Sequence, residues 1–338
     1  MYRSCKKALA LTPAALALAA TAVVATGASA GAAPNPGKGF PAQYSAPYIE
    51  TWASPNAMSD AREATGQKYF TLAFIIDGGG CDAKFNGDTD ISDAGWTSAI
   101  NDDRAAGGDV IASFGGASGT ELASACTSVD SLKAQYKRVI DGLGLTRVDF
   151  DIEGATVADQ ATNDRRNQAL AELQQEYASA GKTLDVDFTL ATNPDGLPQD
   201  QLDLLSNAKS HNLDVNLVNL MTMDYGSAMD MGKAATDAAT ALHGQLGKIW
   251  TDKSDADLWA MEGNTPMIGV NDTQSEIFSI DNANTLADFA KSKGIQELSF
   301  WALGRDKACG SEGQLSDTCS GTAQDAWQFS SVFNGITG

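Results

Sequence analysis

Hydrophobic and polar positions alternate most regularly at 147–154, where the chain reads Arg-Val-Asp-Phe-Asp-Ile-Glu-Gly. Side chains on a β-strand point to opposite faces with a period of two residues. Asp149, Asp151 and Glu153 are therefore predicted to share one face, and the three apolar residues between them to share the other. A buried row of like charges raises the pKa of its members, so such a row indicates catalysis or metal binding rather than packing.

Seven further apolar runs have the length of buried strands, and helix-like segments lie between most of them. All eight predicted strands are 46–52, 70–76, 109–114, 147–152, 184–190, 215–221, 266–270 and 297–303. The predicted helices are 94–106, 131–141, 164–180, 200–209 and 284–293. Asp130 is a candidate N-cap for the second helix, and Gly181 and Gly294 follow the third and the fifth, as glycine commonly does where a helix ends.

Eight strands alternating with helices in a chain of 338 residues predict an α/β fold, a single-domain (β/α)₈ TIM barrel. A doubly wound sheet would need a glycine fingerprint for a nucleotide at a strand end, and neither 78–80 nor 115–116 has that spacing. Catalytic groups of a barrel lie at the carboxyl ends of its strands, and Glu153 falls at the end of the fourth.

The first 30 residues combine three cations, an Ala- and Leu-rich run and a final Ala-Ser-Ala sequence. This pattern predicts a secretory signal peptide at 1–30, cleaved after Ala30 with Ala33 as the alternative, and hence an extracellular protein. A membrane anchor fits less well, because the run is short, Ala-rich and interrupted by proline, so no membrane association is expected after cleavage. Residues 31–43 are predicted to form a flexible segment, and 44–338 the catalytic barrel.

The chain is strongly acidic, with 43 Asp and Glu residues against 23 Lys and Arg residues and a formal net charge of −20. Nucleic-acid partners require basic surfaces, so this charge argues against them. It suits a protein that acts on a neutral or cationic polymer, although acidity also simply keeps a secreted protein soluble. We expect a monomer that uses neither a cofactor nor a metal.

Four cysteines remain once the predicted signal peptide is removed, an even number that suits disulfides in an oxidising compartment. Three pairings are possible. We favour Cys81–Cys126, because the two residues follow neighbouring barrel strands and their loops share one face, together with Cys309–Cys319. Zinc is a poor alternative, since there is no closely spaced cysteine pair and the chain has only two histidines.

Four motifs, in order along the predicted strands, resemble signatures of glycoside hydrolase family 18, the chitinases. Residues 149–153 are similar to its D-x-x-D-x-D-x-E signature, 113–116 to its S-x-G-G motif, 221–225 to its M-x-Y-D segment, and Trp301 to its tryptophan beneath the scissile sugar. The sequence departs from the pattern at two places. Thr146 replaces the first Asp, and Met223 occupies the Tyr position, with Tyr225 following Asp224.

The resemblance implies retaining hydrolysis in which the N-acetyl group of the substrate is the nucleophile. Glu153 would be the general acid and then the base, Asp151 would hold the acetamido group, and Asp149 would share a proton with Asp151. Asp224 and Tyr225 would orient the acetamido group from the opposite wall. The expected substrate-binding residues are Trp301, Met223, Tyr48 and Asn271.

Plainer alternatives exist for each assignment. The carboxylate row could bind Ca²⁺ or Mg²⁺, Trp301 could be a core residue, and Asp224 could pair with a nearby Arg. Weaker candidates for lining a groove are Glu50, Trp52 and Asp272. The residues interpreted as ordinary surface positions, outside every motif, are His211 and His243.

The sequence therefore predicts a secreted chitinase whose partners are chitin or chitooligosaccharides. Some family members carry an additional α+β domain between strands seven and eight, and the stretch 271–296 is too short for one. We expect an open groove and endo-acting cleavage as a result. Two alternatives stay open: an endo-β-N-acetylglucosaminidase acting on N-glycans, and a non-catalytic chitin-binding lectin, against which the presence of Glu153 argues.

Overall fold

The computed structural model describes residues 34–338, so the predicted signal peptide lies outside the described residues. The strands are β1 (Tyr44–Ser45), β2 (Tyr48–Glu50), β3 (Tyr69–Asp77), β4 (Ala83–Phe85), β5 (Asp109–Gly115), β6 (Arg147–Ile152), β7 (Asp185–Ala191), β8 (Val215–Met221), β9 (Glu262–Thr265), β10 (Gly269–Val270), β11 (Ile277–Phe278) and β12 (Glu297–Leu298). The helices are α1 (Asn56–Thr65), α2 (Ala94–Ala105), α3 (Leu122–Ala125), α4 (Val129–Leu143), α5 (Gln160–Ser179), α6 (Gln199–Ser210), α7 (Met231–Ile249), α8 (Asp255–Ala260), α9 (Ile280–Lys293) and α10 (Gln328–Asn334). None of these helices is both long and apolar enough to cross a bilayer.

Eight parallel strand positions close into a barrel within the described chain. The order of hydrogen-bonded neighbours is β1-β12-β9-β8-β7-β6-β5-β3-β2. β1 and β2 are two halves of one extended segment, because Tyr44 pairs with Glu297 on one side while Tyr48 pairs with Thr71 on the other. That segment joins the two ends of the sheet, and the predicted single-domain (β/α)₈ barrel is confirmed.

Strand β6 separates polar from apolar side chains as the alternation predicts. Asp149 and Asp151 face the lumen, and Phe150 points outward, where it stacks on Phe114 with ring centroids 5.0 Å apart. Tyr136 of α4 packs edge-on against the same ring at 5.1 Å. Full burial of each such aromatic or aliphatic side chain stabilises the fold by roughly 1.5–3 kcal/mol, which fixes β6 between lumen and helices.

The seventh barrel strand is not where the sequence placed it. β9 ends at Thr265, before the predicted run 266–270 begins, and Gly269–Val270 instead forms an antiparallel hairpin with Ile277–Phe278. β9 reads Glu-Gly-Asn-Thr, and this polar composition concealed it from an apolar search. The hairpin and α9 fill the interval before β12, and no α+β domain interrupts the described chain there, as expected.

Some helices were missed, and some predicted ends were wrong. The sequence did not indicate α1, α7 or α8. Small residues such as Ala235 and Ala239 form the buried face of α7, which gives a weak periodic signal. α4 begins at Val129 and its N-cap is Ser128, not Asp130, because the Ser128 hydroxyl accepts from the Ser131 amide.

The described part of the predicted flexible segment is held against the barrel. The amides of Lys38 and Gly39 donate to Oδ2 of Asp109 at 2.8 and 3.0 Å. The amide of Gly37 donates to the carbonyl oxygen of Gly144 at 2.8 Å. Residues 34–43 therefore lie along the amino-terminal ends of the strands, opposite the expected site.

Both expected cysteine pairs are bonded in the structure. Cys81 and Cys126 have Cα atoms 4.7 Å apart, and Cys309 and Cys319 have Cα atoms 5.2 Å apart. The first bond joins the loops that follow β3 and β5. It therefore holds two neighbouring loops together at the carboxyl-terminal mouth of the barrel.

The interpretation of the histidines as ordinary surface residues is wrong for His243. Its ring stacks on Trp259 with centroids 3.9 Å apart, and its Nε2 lies 2.9 Å from Asp255. His211 is more exposed and pairs with Asp164 at 3.1 Å. Beneath His243 lies Glu262, which is completely buried and accepts no hydrogen bond from any residue in 34–338.

We expect Glu262→Gln to stabilise the protein at neutral pH. Burial raises the pKa of the Glu262 carboxyl well above its usual range. A glutamate whose pKa is higher in the folded than in the unfolded protein does not lower the free energy of unfolding below the unfolded-state pKa, about 4.3. As the pH rises from there towards the folded-state pKa, the free energy of unfolding decreases. The variant and the wild type should therefore unfold at similar temperatures near pH 4, and the variant at increasingly higher temperatures towards pH 7.

A suitable control is Glu121→Gln, because both Glu121 oxygens accept from Arg166, at 2.6 and 2.7 Å. That change leaves a buried guanidinium without its ion pair and should destabilise the protein at pH 7 by about 3–5 kcal/mol. Thermal unfolding followed by circular dichroism measures both. A difference between Glu262→Gln and wild type that does not vary with pH would contradict the prediction.

Candidate active site

The three predicted carboxylates lie in order along β6, from the lumen to the mouth. Asp149 is 4% exposed and Asp151 is 5% exposed. Glu153 follows the end of the strand, is half-buried, and lines an open cavity of about 530 Å³ together with Asp151. The alternation along β6 therefore places the three acids in one row that leads to this cavity.

Asp149 is surrounded by hydroxyl donors from three other strands. Its Oδ2 accepts from Ser113 at 2.6 Å and from Tyr48 at 3.1 Å, and its Oδ1 accepts from Thr189 at 2.8 Å. Burial nevertheless raises the pKa of Asp149 to about 6, against the effect of these donors. The hydroxyls therefore keep a deeply buried aspartate able to ionise near neutral pH.

Asp151 and Glu153 lack such compensation. Burial raises the pKa of both carboxyls, and the charges of Glu153 and Asp149 raise that of Asp151 further. Oδ1 of Asp151 is buried and has no hydrogen-bond partner among residues 34–338. Because two neighbouring carboxylates resist double ionisation, the raised pKa values favour a protonated carboxyl at the cavity mouth, as a general acid requires.

Gly115 allows β5 to approach the acidic row closely. Its φ is +105°, and the amide of Gly116 donates to the carbonyl oxygen of Asp151 at 3.0 Å. A Cβ atom at Gly115 would collide with that same carbonyl oxygen. Only glycine fits this combination of backbone angle and space, so the motif positions Asp151 through its main chain.

Aromatic side chains line the cavity beside the acids. Trp301 stacks on Phe74 with centroids 5.7 Å apart and 12° between the planes, and Tyr48 lies 6.0 Å away. Trp52, 56% exposed, lies 6.4 Å from Trp301. Glu50 and Trp52 line a second cavity of about 560 Å³, which shares Phe74 and Trp301 with the first. The two cavities thus form one groove, and Trp301 faces the groove rather than the core.

The opposite wall comes from the segment after β8. Met223, Asp224 and Tyr225 all line the first cavity. Asp224 is exposed, and its Oδ1 accepts from the amide of Thr273 at 2.7 Å, so its partner is backbone and not the arginine considered above. The hydroxyl of Tyr225 is buried and has no hydrogen-bond partner in the described chain.

The expected contact of Asn271 with sugar is wrong. Asn271 is completely buried, and its Nδ2 donates to the carbonyl oxygens of Met267 and Gly269 at 2.8 and 3.1 Å. These hydrogen bonds hold the turn before the hairpin of β10 and β11. The seventh strand ends at Thr265, so Asn271 does not lie at its carboxyl end as predicted. The neighbouring Asp272 lines the cavity instead.

Several cavity residues were not indicated by the sequence. Thr189 lies on a predicted strand, and strict alternation would have found it. Phe74 also lies on a predicted strand, but an irregularity between Ala73 and Ile75 interrupts the alternation there. Met267 lies on the predicted strand 266–270, and Asn193 and Pro198 lie in loops, where no such pattern applies. Within residues 34–338, no three or more His, Cys, Asp or Glu side chains are grouped so as to hold a metal ion.

A closed (β/α)₈ barrel with buried acids leading into an aromatic groove defines a glycosidase-type site. No family model matches the chain. The chain is 35% identical over 319 residues to a probable bifunctional chitinase/lysozyme of Escherichia coli, and 37% identical over 287 residues to endochitinase 11 of Metarhizium anisopliae. These matches cover 90% and 80% of the chain, which spans only 35% and 54% of the two relatives.

Solved structures give a fuller match. The catalytic domain of a hyperthermophilic chitinase from Pyrococcus furiosus superposes with a TM-score of 0.81 at 32% identity, covering 90% of this chain and 97% of that one. Catalytic-site mutants of active domain 2 of a thermostable chitinase from Pyrococcus furiosus, complexed with chito-oligosaccharides, give a TM-score of 0.80 at 32% identity, covering 88% of this chain and 95% of that one. The chain belongs to glycoside hydrolase family 18, the chitinases.

We expect Ser113→Ala to raise the pKa of Asp149 above its value of about 6. The Ser113 hydroxyl donates to the ionised carboxylate, and removing a hydrogen bond to a charged group shifts such a pKa by about one unit. Carbon-13 NMR titration of labelled aspartate carboxyls measures the shift.

The control for this experiment is Ser330→Ala, which removes a hydroxyl that donates to Asp306 at 2.7 Å elsewhere in the barrel. It should leave the titration of Asp149 unchanged. An unchanged Asp149 pKa in Ser113→Ala would show that this hydroxyl does not stabilise the ionised form.

Proposed function

We propose that this protein is a secreted chitinase that hydrolyses β-1,4 linkages of N-acetylglucosamine in chitin and chitooligosaccharides. The observation that carries the proposal is that the neighbouring acids Asp151 and Glu153, whose pKa values are raised by burial, line the same cavity as Trp301 and Tyr225. The chitinases named among its relatives, including a domain complexed with chito-oligosaccharides, support the substrate class.

Glu153 is the general acid in this proposal. Burial raises its pKa, which keeps it protonated beside the glycosidic oxygen until bond cleavage begins. As that bond breaks, the substrate's N-acetyl oxygen attacks the anomeric carbon and forms an oxazolinium-like intermediate. Glu153, now ionised, removes a proton from water, and the water opens the intermediate from the face that the leaving group left, so the configuration is retained.

Asp151 and Asp149 support the positive charge that develops on the acetamido group. Asp151 lies between Asp149 and Glu153 in the row, and its unpartnered Oδ1 provides an acceptor for the acetamido N–H. A second proton, apart from the one on Glu153, is shared by Asp149 and Asp151 in the resting row, and Asp149, whose pKa is raised to about 6, can hold that proton as the intermediate forms. Tyr225, whose hydroxyl is also unpartnered within the described residues, would donate to the acetamido oxygen from the other wall.

The groove suits endo-acting cleavage of a polymer. The two connected cavities extend past Trp301 to the exposed ring of Trp52, and aromatic rings of this kind stack on sugar faces. Interior segments of a chain can enter such an open groove. Export from the cell is supported by the leader pattern of the sequence and by two disulfides, which persist in oxidising compartments. We propose that the protein acts as a monomer.

Glu153→Gln should abolish hydrolysis of chitotetraose and leave its binding nearly unchanged. An amide has the size of the carboxyl but cannot transfer the proton, so we expect a loss of at least about 10²–10⁴-fold in kcat. Product formation by chromatography gives kcat, and the change in tryptophan fluorescence on adding chitotetraose gives Kd.

The matched control is Glu172→Gln, which changes a partly exposed glutamate on α5. It should retain wild-type kcat. Turnover by Glu153→Gln at the wild-type rate would remove Glu153 from the mechanism, while binding without turnover in the wild type would favour the lectin. Faster release of glycan from a high-mannose glycoprotein than of sugar from chitotetraose would favour the endo-β-N-acetylglucosaminidase.

Endo-action predicts that early digestion of a long soluble chitin derivative yields fragments of many lengths. The viscosity of the solution should then fall well before much reducing sugar appears, because interior cuts shorten chains most. Viscometry and reducing-end assays on the same samples measure both quantities. Release of dimer alone from the first time point would contradict an endo mode, and proton NMR of fresh products should show mainly the β-anomer.

A further inference from the structure

The wall that carries Tyr225 is held by a buried carboxylate outside every family motif identified above. Glu276 lies in the hairpin loop between β10 and β11 and is completely buried. Its Oε2 accepts from the amide of Tyr225 at 3.0 Å. Its Oε1 accepts from the amides of Gly226 at 2.7 Å and Ser227 at 3.1 Å. Three consecutive main-chain N–H groups therefore converge on one side chain.

The conformation of the loop explains why an anion fits there. Asp224 and Gly226 have φ values of +54° and +92°, and left-handed residues of this kind turn successive N–H groups towards a common point. Such a concavity of main-chain amides binds anions. Here the anion is a side chain of the protein itself, and it satisfies three main-chain donors at once.

The main chain of Glu276 is itself held in place by two hydrogen bonds. Its amide donates to the carbonyl oxygen of Thr273 at 2.7 Å, and its carbonyl oxygen accepts from the amide of Asn271 at 3.1 Å. In return, Asp224 accepts from the amide of Thr273. Each of the two segments thus has an acidic side chain that accepts from the main chain of the other: Glu276 of the hairpin from the loop after β8, and Asp224 of that loop from the hairpin.

We infer that Glu276 is a positioning residue for hydrolysis, which fixes the main chain of Tyr225 so that its hydroxyl faces the acetamido group. This inference rests on the proposed function. Burial, and to a smaller extent the nearby Glu276, raise the pKa of the Tyr225 hydroxyl and so favour its protonated form, the form that donates a hydrogen bond. Glu276 does not line the cavity, so it acts through the loop and not on the substrate.

Glu276→Gln tests the inference. The amide keeps the shape of the side chain, but its NH₂ group faces an N–H donor and at least one hydrogen bond is lost. We expect kcat on chitotetraose to fall about tenfold or more, with KM changing less than about threefold, because Tyr225 contributes mainly in the transition state. Glu262→Gln, a buried glutamate at the other end of the barrel, should retain wild-type kcat.

A double-mutant cycle separates positioning from a general loss of structure. If Glu276 acts through Tyr225, then Glu276→Gln combined with Tyr225→Phe should be no more than about threefold slower than the slower single variant. Multiplicative losses in the double variant would overturn the inference. If Glu276→Gln does not fold, Glu276→Asp replaces it in the same cycle, since it keeps the charge but reaches fewer amides.

Hydrogen exchange gives a readout that needs no activity. In the wild type the amides of Tyr225, Gly226 and Ser227 should exchange slowly, and in Glu276→Gln they should exchange at least about tenfold faster. Unchanged exchange at these amides would overturn the inference even for an active enzyme. A different result would refute only the proposed function. In that case the wild type would cleave no chitotetraose, although the three amides would still exchange faster in Glu276→Gln than in the wild type.

Discussion

The structure depends on keeping several charged side chains of one strand inside a barrel. The counterions and hydrogen-bond donors that surround these side chains differ from one end of β6 to the other. At the closed end Arg147 lies 3.6 Å from Asp187, so the charges are paired. In the middle Asp149 receives three hydroxyl donors. At the open end Asp151 and Glu153 have neither a cation nor a set of donors among the described residues, and their pKa values are raised. This gradient of compensation leaves the pair Asp151–Glu153, at the mouth, the least compensated acids of β6.

The apolar side of β6 makes that gradient possible. Phe150 packs between Phe114 and Tyr136, and side chains alternate with a period of two. A shift of one residue in register would move the acids into the hydrophobic layer and the rings into the lumen. The energetic cost of that exchange is far larger than the stability of a typical domain. Packing outside the barrel thus fixes the position of the acids inside it.

The sequence predicted the features that depend on local periodicity, and missed those that depend on contacts distant along the chain. Period-two alternation located β6, and apolar runs with flanking glycines located the barrel as a whole. β9 was missed because its four residues, Glu-Gly-Asn-Thr, contain no apolar run. Asn271 was misassigned for the same reason. Glu276 gave no signal, since its role appears only when the hairpin meets a loop some 50 residues away.

The two walls of the groove therefore have different physical origins. The acidic wall is part of a strand, and its geometry follows from the register of the whole barrel. The wall with Asp224 and Tyr225 belongs to a loop, and its geometry is determined by the hydrogen bonds that it donates to Glu276 and accepts from the amide of Thr273. A change in the hairpin can therefore move Asp224 and Tyr225 without disturbing Glu153. In the proposed mechanism, binding of the acetamido group and acid catalysis thus depend on separate sets of contacts.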